Sequence, residues 1–237
     1  MGLMRTARVE GVTKEIERVA REERIPAEVL RRRVAEGKVI IPRNVEREEV
    51  KLVGIGEGLK TKVNVNVGTS TIIASLDMEV EKAKVALKYG TDTLMDLSTG
   101  GDLDLIRRKL LEFVNVPFGT VPVYQAFIEA AKKRGAGVYM TEDDLFRTIE
   151  KHFKDGVDFV TVHTGVTLEL ARRFKKIGRV AGIVSRGGAI LVAWMLYNNA
   201  ENPLYANFDQ LLDLAVEYDV TLSLGDALRP GCIADSH

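Results

Sequence analysis

KVNVNVG, residues 62–68, is a β-branched run whose two asparagines, Asn64 and Asn66, fall on one face because side chains alternate along a strand. The same short apolar grammar recurs at TLMDLS (93–98), VPFGTVPV (116–123), FVTVHTG (159–165), AGIVS (181–185) and VTLSLG (220–225). Amphipathic stretches lie between these runs. Their spacing predicts helices over 78–89, 103–113, 123–134, 142–153, 168–177, 189–197 and 208–218. Gly90, Gly135 and Gly178 are placed as stops, Thr141 as a cap, and Leu103, Ile106 and Leu110 as one apolar face. Strands alternating with helices imply parallel pairing through right-handed crossovers. Two architectures satisfy that rule, an open doubly wound sheet and a (β/α)8 barrel. The first strand is not followed by G-x-G-x-x-G, which counts against a dinucleotide-binding doubly wound fold. Polar residues instead close every strand: Asn66, Asp96 with Ser98, Tyr124, His163, Ser185 with Arg186, and Asp226. A barrel gathers its βα loops at that end, so such a distribution fits its active face. The expected fold class is therefore α/β, a parallel (β/α)8-type barrel truncated after about six βα units.

Residues 1–50 read differently. Pro26 suits a first helical turn, AEVLRRRVAE continues it, Gly37 stops it, and KVIIP offers a short strand. The expected organisation is a helical N-terminal cap or arm over 1–50 and an incomplete barrel domain over 51–237. Lys+Arg and Asp+Glu both number 34, which supports neither nucleic acid nor an anionic membrane as partner. No run of about 18 apolar residues offers a spanning helix. The charged N-terminus is unlike a secretory signal, and a cytoplasmic protein is expected. Cys232 is the one cysteine, so neither an intrachain disulfide nor a cysteine cluster is available.

Several strand ends carry chemistry. VSRGGAILVAW (184–194) runs from a strand through Ser185, Arg186, Gly187 and Gly188 into a helix. Its N-terminal N–H groups and the guanidinium suit a phosphate or carboxylate, against the plainer reading of a tight turn whose arginine pairs with a neighbouring acid. His163 can hydrogen-bond a ligand or move a proton; with no second histidine at ligand spacing, no metal site is assigned. GDALRP supplies Asp226 and Arg229, which either pair with each other or hold polar and anionic ligand groups. Asn64 and Asn66 suit recognition of a heterocycle or ribose, and two asparagines aimed into a core would need partners. Either Met95 or Asp96 faces the barrel interior. Asp102 reads as a helix cap, His152 as surface or partly buried, and Trp194 and Met195 as core.

Taken in order, VAEGKVIIPRNV, TKVNVNVGTS, MDLSTGGD, VPFGTVPVYQA, GVDFVTVHTGV, GIVSRGG, ENPLY and YDVTLSLGDALRPGCIAD resemble the phosphomethylpyrimidine synthase family, which makes the pyrimidine half of thiamine. The resemblance runs along nearly the whole chain. It implies a (β/α)8 barrel and a lyase that rearranges 5-aminoimidazole ribonucleotide to 4-amino-5-hydroxymethyl-2-methylpyrimidine phosphate. It implies S-adenosylmethionine, a [4Fe-4S] cluster that cleaves it to a radical, zinc, and a homodimer. By motif match, Asn66, Met95, Tyr124 and His163 would line the ribonucleotide site. Ser185, Arg186 and Gly187 would form one binding loop, and Asp226, Ala227, Leu228 and Arg229 another. Two departures stand out. Ala227 replaces the glycine usual in the family, and would be strained if that position required φ above zero. The family also continues beyond GCIAD with two more strands, zinc-binding histidine segments and a cysteine cluster motif. The expectation is an N-terminal portion without ligands for zinc or cluster, inactive alone, whose partner is a separately encoded C-terminal half. The alternatives are a non-catalytic phosphate- or nucleotide-binding fragment, or a poorly folding truncation product.

Overall fold

The computed structural model describes residues 2–236. Three helices open the chain: α1 (Leu3–Val9), α2 (Lys14–Glu23) and α3 (Ala27–Ala35). Thr13 caps α2, its hydroxyl accepting from the Ile16 amide at 3.3 Å, and Arg24 ends it in the left-handed region. Pro26 stands at the N-cap of α3. Ile16, Val19, Leu30 and Val34 come together with Ala7, Val39 and Leu52 in a buried core. β1 (Val39–Ile40) pairs antiparallel with β2 (Ile55–Gly56), so the KVIIP expectation holds for two residues.

The crossover region follows in order. It comprises β3 (Asn64–Val67), α4 (Leu76–Lys88), β4 (Thr93–Asp96), α5 (Leu103–Leu111), β5 (Phe118–Thr120), α6 (Pro122–Arg134), α7 (Glu142–Lys154) and β6 (Phe159–Val162). Then come α8 (Leu168–Ile177), α9 (Arg186–Asn198), α10 (Pro203–Ala206), α11 (Phe208–Tyr218) and β7 (Thr221–Leu224). The strands hydrogen-bond in the order β3-β4-β5-β6-β7. β3 and β4 are parallel with Asn66 opposite Met95, and β4 and β5 are parallel with Asp96 opposite Thr120. Helix limits agree with the caps expected. Asp102 accepts from the Leu105 amide at 3.0 Å, and Thr141 accepts from the Asp144 amide at 3.1 Å. Gly90, Gly135 and Gly178 follow their helices with φ of 81°, 90° and 72°.

Two expectations are corrected. The sheet has five strands rather than six, and it is open: β3 and β7 are its ends, so no barrel is closed. The missing strand is AGIVS. Gly182 there takes φ 63°, which breaks an extended run, and the amides of Val180 and Ala181 are held by the Asp235 carboxylate at 2.8 and 2.9 Å. Local composition is strand-like, but at its start the Ala181 amide finds a side-chain partner instead of a neighbouring strand. VPFGTVPV is also shortened, because Pro122 starts α6 at its first turn, where a missing N–H costs nothing.

The chain divides into two compact units. The first comprises Met1–Thr120, Phe153–Phe159 and Ala215–Thr221, and the second Val121–His152, Val160–Leu214 and Leu222–His237. The first is fastened by Asp158, which has no exposed surface. Its carboxylate accepts from the amides of Asn44 at 2.9 Å and Phe118 at 2.7 Å, and pairs with Arg47. Asn44 in turn donates its side-chain amide to the carbonyls of Phe153 and Val157. In the second unit, the Trp194 indole donates to the Met140 carbonyl at 2.6 Å, and His152 shares a 2.9 Å hydrogen bond with Gln125. His152 is thus buried rather than a surface residue.

Candidate functional site

Most of the candidate residues lie in the second unit, at the C-terminal ends of β6 and β7 and at the start of α9. Ser185 is the N-cap of α9, its hydroxyl accepting from the Gly188 amide at 3.1 Å. That leaves Arg186 in the first turn, with its guanidinium 5.0 Å from the centroid of the Tyr124 ring. A guanidinium over an aromatic face keeps its charge.

His163 follows β6 directly. Gly187 and Gly225 border its ring: a Cβ on Gly187 would collide with the imidazole, and one on Gly225 would stand 2.8 Å from Cδ2 and Nε2. Gly225 is held there because its amide donates to the Val162 carbonyl at 2.8 Å. The ring is 4 % exposed, and among the described residues its buried Nδ1 has no hydrogen-bond partner. Burial, with the positive charge of Arg229 adding to it and Asp226 opposing it, lowers the His163 pKa to about 4. The imidazole is therefore neutral at neutral pH. It can donate or accept one hydrogen bond, and it adds no cation to the site. Burial raises the Tyr124 phenol, and the charges of Arg186 and Arg229 oppose that shift. The charge of Arg229 thus bears on both Tyr124 and His163.

The GDALRP loop is built by its backbone. Asp226 accepts from the Leu228 amide at 3.2 Å, and the Arg229 guanidinium donates to the Asp226 carbonyl at 2.9 Å rather than to its carboxylate. Gly188 lets α9 approach this loop, since a Cβ there would stand 2.8 Å from the Ala227 Cα. Ala227 is buried, and it is not strained: among the described residues the non-glycine positions with positive φ are Arg24, Asn199 and Asp219.

Three residues that sequence reasoning did not assign complete the frame. Asn202, fully buried, donates to the carbonyls of His163 and Val166, both at 2.9 Å, and accepts from the Leu204 amide at 3.1 Å. Arg179 donates to the Leu228 carbonyl at 2.5 Å. Asp235 fixes 180–181, as described above. An asparagine immediately before a proline, in ENPLY, was the available signal for Asn202.

Asn66 and Met95 belong to the first unit. Asn66 and Asn64 are exposed rather than aimed into a core. Asn64 donates its side-chain amide to Asn66 Oδ1 at 2.8 Å and accepts from the Thr93 hydroxyl at 2.8 Å. Register places Met95 beside Asn66, so these two share a face. Asp96 turns the other way. It accepts from the Ser98 amide at 2.9 Å and hydroxyl at 2.5 Å, its pKa is raised by burial, and it feels the charges of Arg107 and Glu79 on the neighbouring helices. Among the described residues, no group of three or more His, Cys, Asp or Glu side chains is placed to hold a metal, and no helix is long and apolar enough to cross a membrane.

The profile of the radical SAM ThiC family matches residues 2–237. The chain is 56% identical over 236 residues to the phosphomethylpyrimidine synthase of Pyrococcus abyssi, covering 100% of this chain and 55% of that protein. It is 54% identical over 225 residues to that of Pyrococcus furiosus (95% of this chain, 52% of that protein) and 52% identical over 236 residues to that of Desulforamulus reducens (100% and 55%). The chain spans about half the length of these curated relatives. A match along the described chain at such identity is a family relationship, and the chain belongs to the radical SAM ThiC family.

Proposed function

We propose that this chain forms the ribonucleotide-recognising part of a phosphomethylpyrimidine synthase and binds 5-aminoimidazole ribonucleotide. The observation that carries the reading is the grouping of Arg186, Tyr124, His163 and Arg229 at strand and helix ends of one unit. A phosphate suits the capped start of α9 with Arg186, where N–H groups and a forked cation converge. The neutral His163 ring, which adds no cation, suits a hydrogen bond to a ribose hydroxyl or to the aminoimidazole.

A whole synthase of this family would use S-adenosylmethionine with a [4Fe-4S] cluster to start a radical rearrangement. Such a cluster is held by several cysteine thiolates. Cys232 is the one cysteine of this sequence, and no metal-holding group occurs among the described residues. The residues of this chain do not fit the cluster, and the radical step is assigned to none of them.

Titration calorimetry with 5-aminoimidazole ribonucleotide tests the proposal. Saturable binding at one site per chain is expected, weakened at least tenfold by Arg186→Ala, about 1.4 kcal/mol, and weakened again when the ligand lacks its phosphate. Absence of binding, or equal affinity in Arg186→Ala, would overturn it.

A further inference from the structure

A second polar cavity lies within the second unit, between α6 and α7, away from the strand ends. Residues 126, 129, 130 and 133 share one face of α6, and 144, 147, 148 and 151 share one face of α7, by helical spacing. The middle of each stripe is small. Ala126, Ala130 and Thr148 are buried, and between them they leave a cleft of about 260 Å³ where longer side chains would have closed the helix contact. The Thr148 hydroxyl is spent on the Asp144 carbonyl at 2.7 Å, so any ligand here is held by the walls.

Those walls are charged and unbalanced. Lys133, Arg134, Arg147 and Lys151 line the cleft against two carboxylates, Glu129 and Asp144. The chain as a whole is neutral, so this is a local concentration of positive charge. Asp144 sits between the two arginines. One of its oxygens pairs with Arg134, and the other accepts from Arg147 at 2.9 Å. One carboxylate thereby orients two guanidiniums, whose combined charge exceeds its own. Glu129 is drawn aside by the Gln125 amide, which donates to it at 2.6 Å and whose oxygen faces the buried His152 ring at 2.9 Å. Among the described residues Lys133 has no ion-pair partner. Forked guanidinium donors beside an ammonium match the oxygens of a phosphoryl group. The cleft is smaller than the ~300–1,000 Å³ of drug-sized pockets, and no aromatic ring lines it to stack a base.

We infer that the α6–α7 cleft binds the phosphoryl group of a small phosphorylated metabolite that is not a nucleotide. Arg134 and Arg147, held by Asp144, present their remaining N–H groups, and Lys133 and Lys151 close over the anion from either helix. The site is separate from the grouping around Arg186 and does not depend on the function proposed for it.

The test is a titration of inorganic phosphate and, in parallel, glycerol 3-phosphate, followed by amide resonances at constant ionic strength. It uses the Arg186→Ala chain, which takes the cation away from the start of α9. Saturable shifts at Lys133 and Thr148 are expected with both probes and not with chloride. Affinity should fall at least tenfold when Lys133→Gln and Arg147→Gln are combined. Both side chains are exposed and Asp144 keeps Arg134, so the circular dichroism should match the parent. If the double variant does not fold, Lys133→Gln alone should weaken binding at least threefold. Equal affinity in the folded variants, shifts that rise without saturation, or equal shifts with chloride overturn the inference. So does phosphate binding from which the ester is excluded, which would leave the free anion as the occupant. Ribonucleotide calorimetry on the parent chain reports on the Arg186 site, so its failure is distinguishable from failure here.

Discussion

The imidazole of His163 lies so close to the backbone of Gly187 that any side chain at 187 would occupy the ring's place. Alanine in a helix is ordinarily better than glycine by about 1 kcal/mol, whereas overpacking costs about 1–3 kcal/mol. Gly187→Ala should therefore leave the melting temperature nearly unchanged or lower it, while moving the His163 ring resonances and weakening ribonucleotide binding at least tenfold. Gly225→Ala should act in the same direction, since its Cβ would meet both the ring and Thr161 Cγ2 at 2.8 Å. Gly165→Ala is the control, with nothing within 4 Å of its Cβ. Three variants behaving alike would refute the packing role.

Protonation of His163 should couple to stability. Its pKa is about 4 in the fold, against about 6.5 in an unfolded chain. Between those values the unfolded state binds more protons, so stability rises with pH. This contribution is fully present above about pH 6.5 and is lost as pH falls toward 4, up to about 3 kcal/mol. Denaturant titrations at pH 7.5 and 4.5 on the parent and on His163→Asn measure it; the variant should lose that part of the slope.

A second acid-sensitive site is Asp144. Its hydrogen bond with the Arg134 guanidinium, helped by the Thr141 amide at 2.9 Å, holds its carboxyl well below the usual range. A depressed carboxyl stabilises the fold above its unfolded pKa, and that contribution is lost as pH falls below about 4. Because Asp144 and Thr141 cap α7 reciprocally, Asp144→Ala should cost about 1–2 kcal/mol at pH 7. The difference should shrink below pH 3 when followed by thermal melts.

The Asp158 carboxylate is the severest single deletion. Asp158→Ala leaves Arg47, 10% exposed, without its charge partner and leaves the Asn44 and Phe118 amides unsatisfied. A loss of about 3–5 kcal/mol is expected, seen as a lowered denaturation midpoint. Asp158→Asn, which keeps acceptor capacity, should cost less.

The helices were legible because their signals are local. Asp102, Thr141 and Ser185 cap the helices they precede, and Gly90, Gly135 and Gly178 end theirs. AGIVS misled for a nonlocal reason: the Asp235 carboxylate, more than fifty residues away in sequence, takes the amide of Ala181 that opens it and that of Val180 just before it. The choice between Met95 and Asp96 needed register, which places Met95 next to Asn66 and turns Asp96 toward Ser98. Arg186 and His163 stood out by residue type at strand ends. Asn202 and Gly225 did not, since their roles are to fasten a carbonyl and to make room for a ring, and neither requirement has a sequence period.

The hydrogen bond from the Asn44 amide to the Asp158 carboxylate joins residues 114 apart in the chain. During synthesis at about 5–20 residues per second, the amino-terminal arm therefore waits on the order of ten seconds for the group that fastens it. In that interval Arg47 leaves the ribosome as a solvated cation, and the first unit closes only after Asp158 has been translated. Chaperone engagement with nascent chains halted before residue 158 should accordingly exceed that with chains halted beyond it.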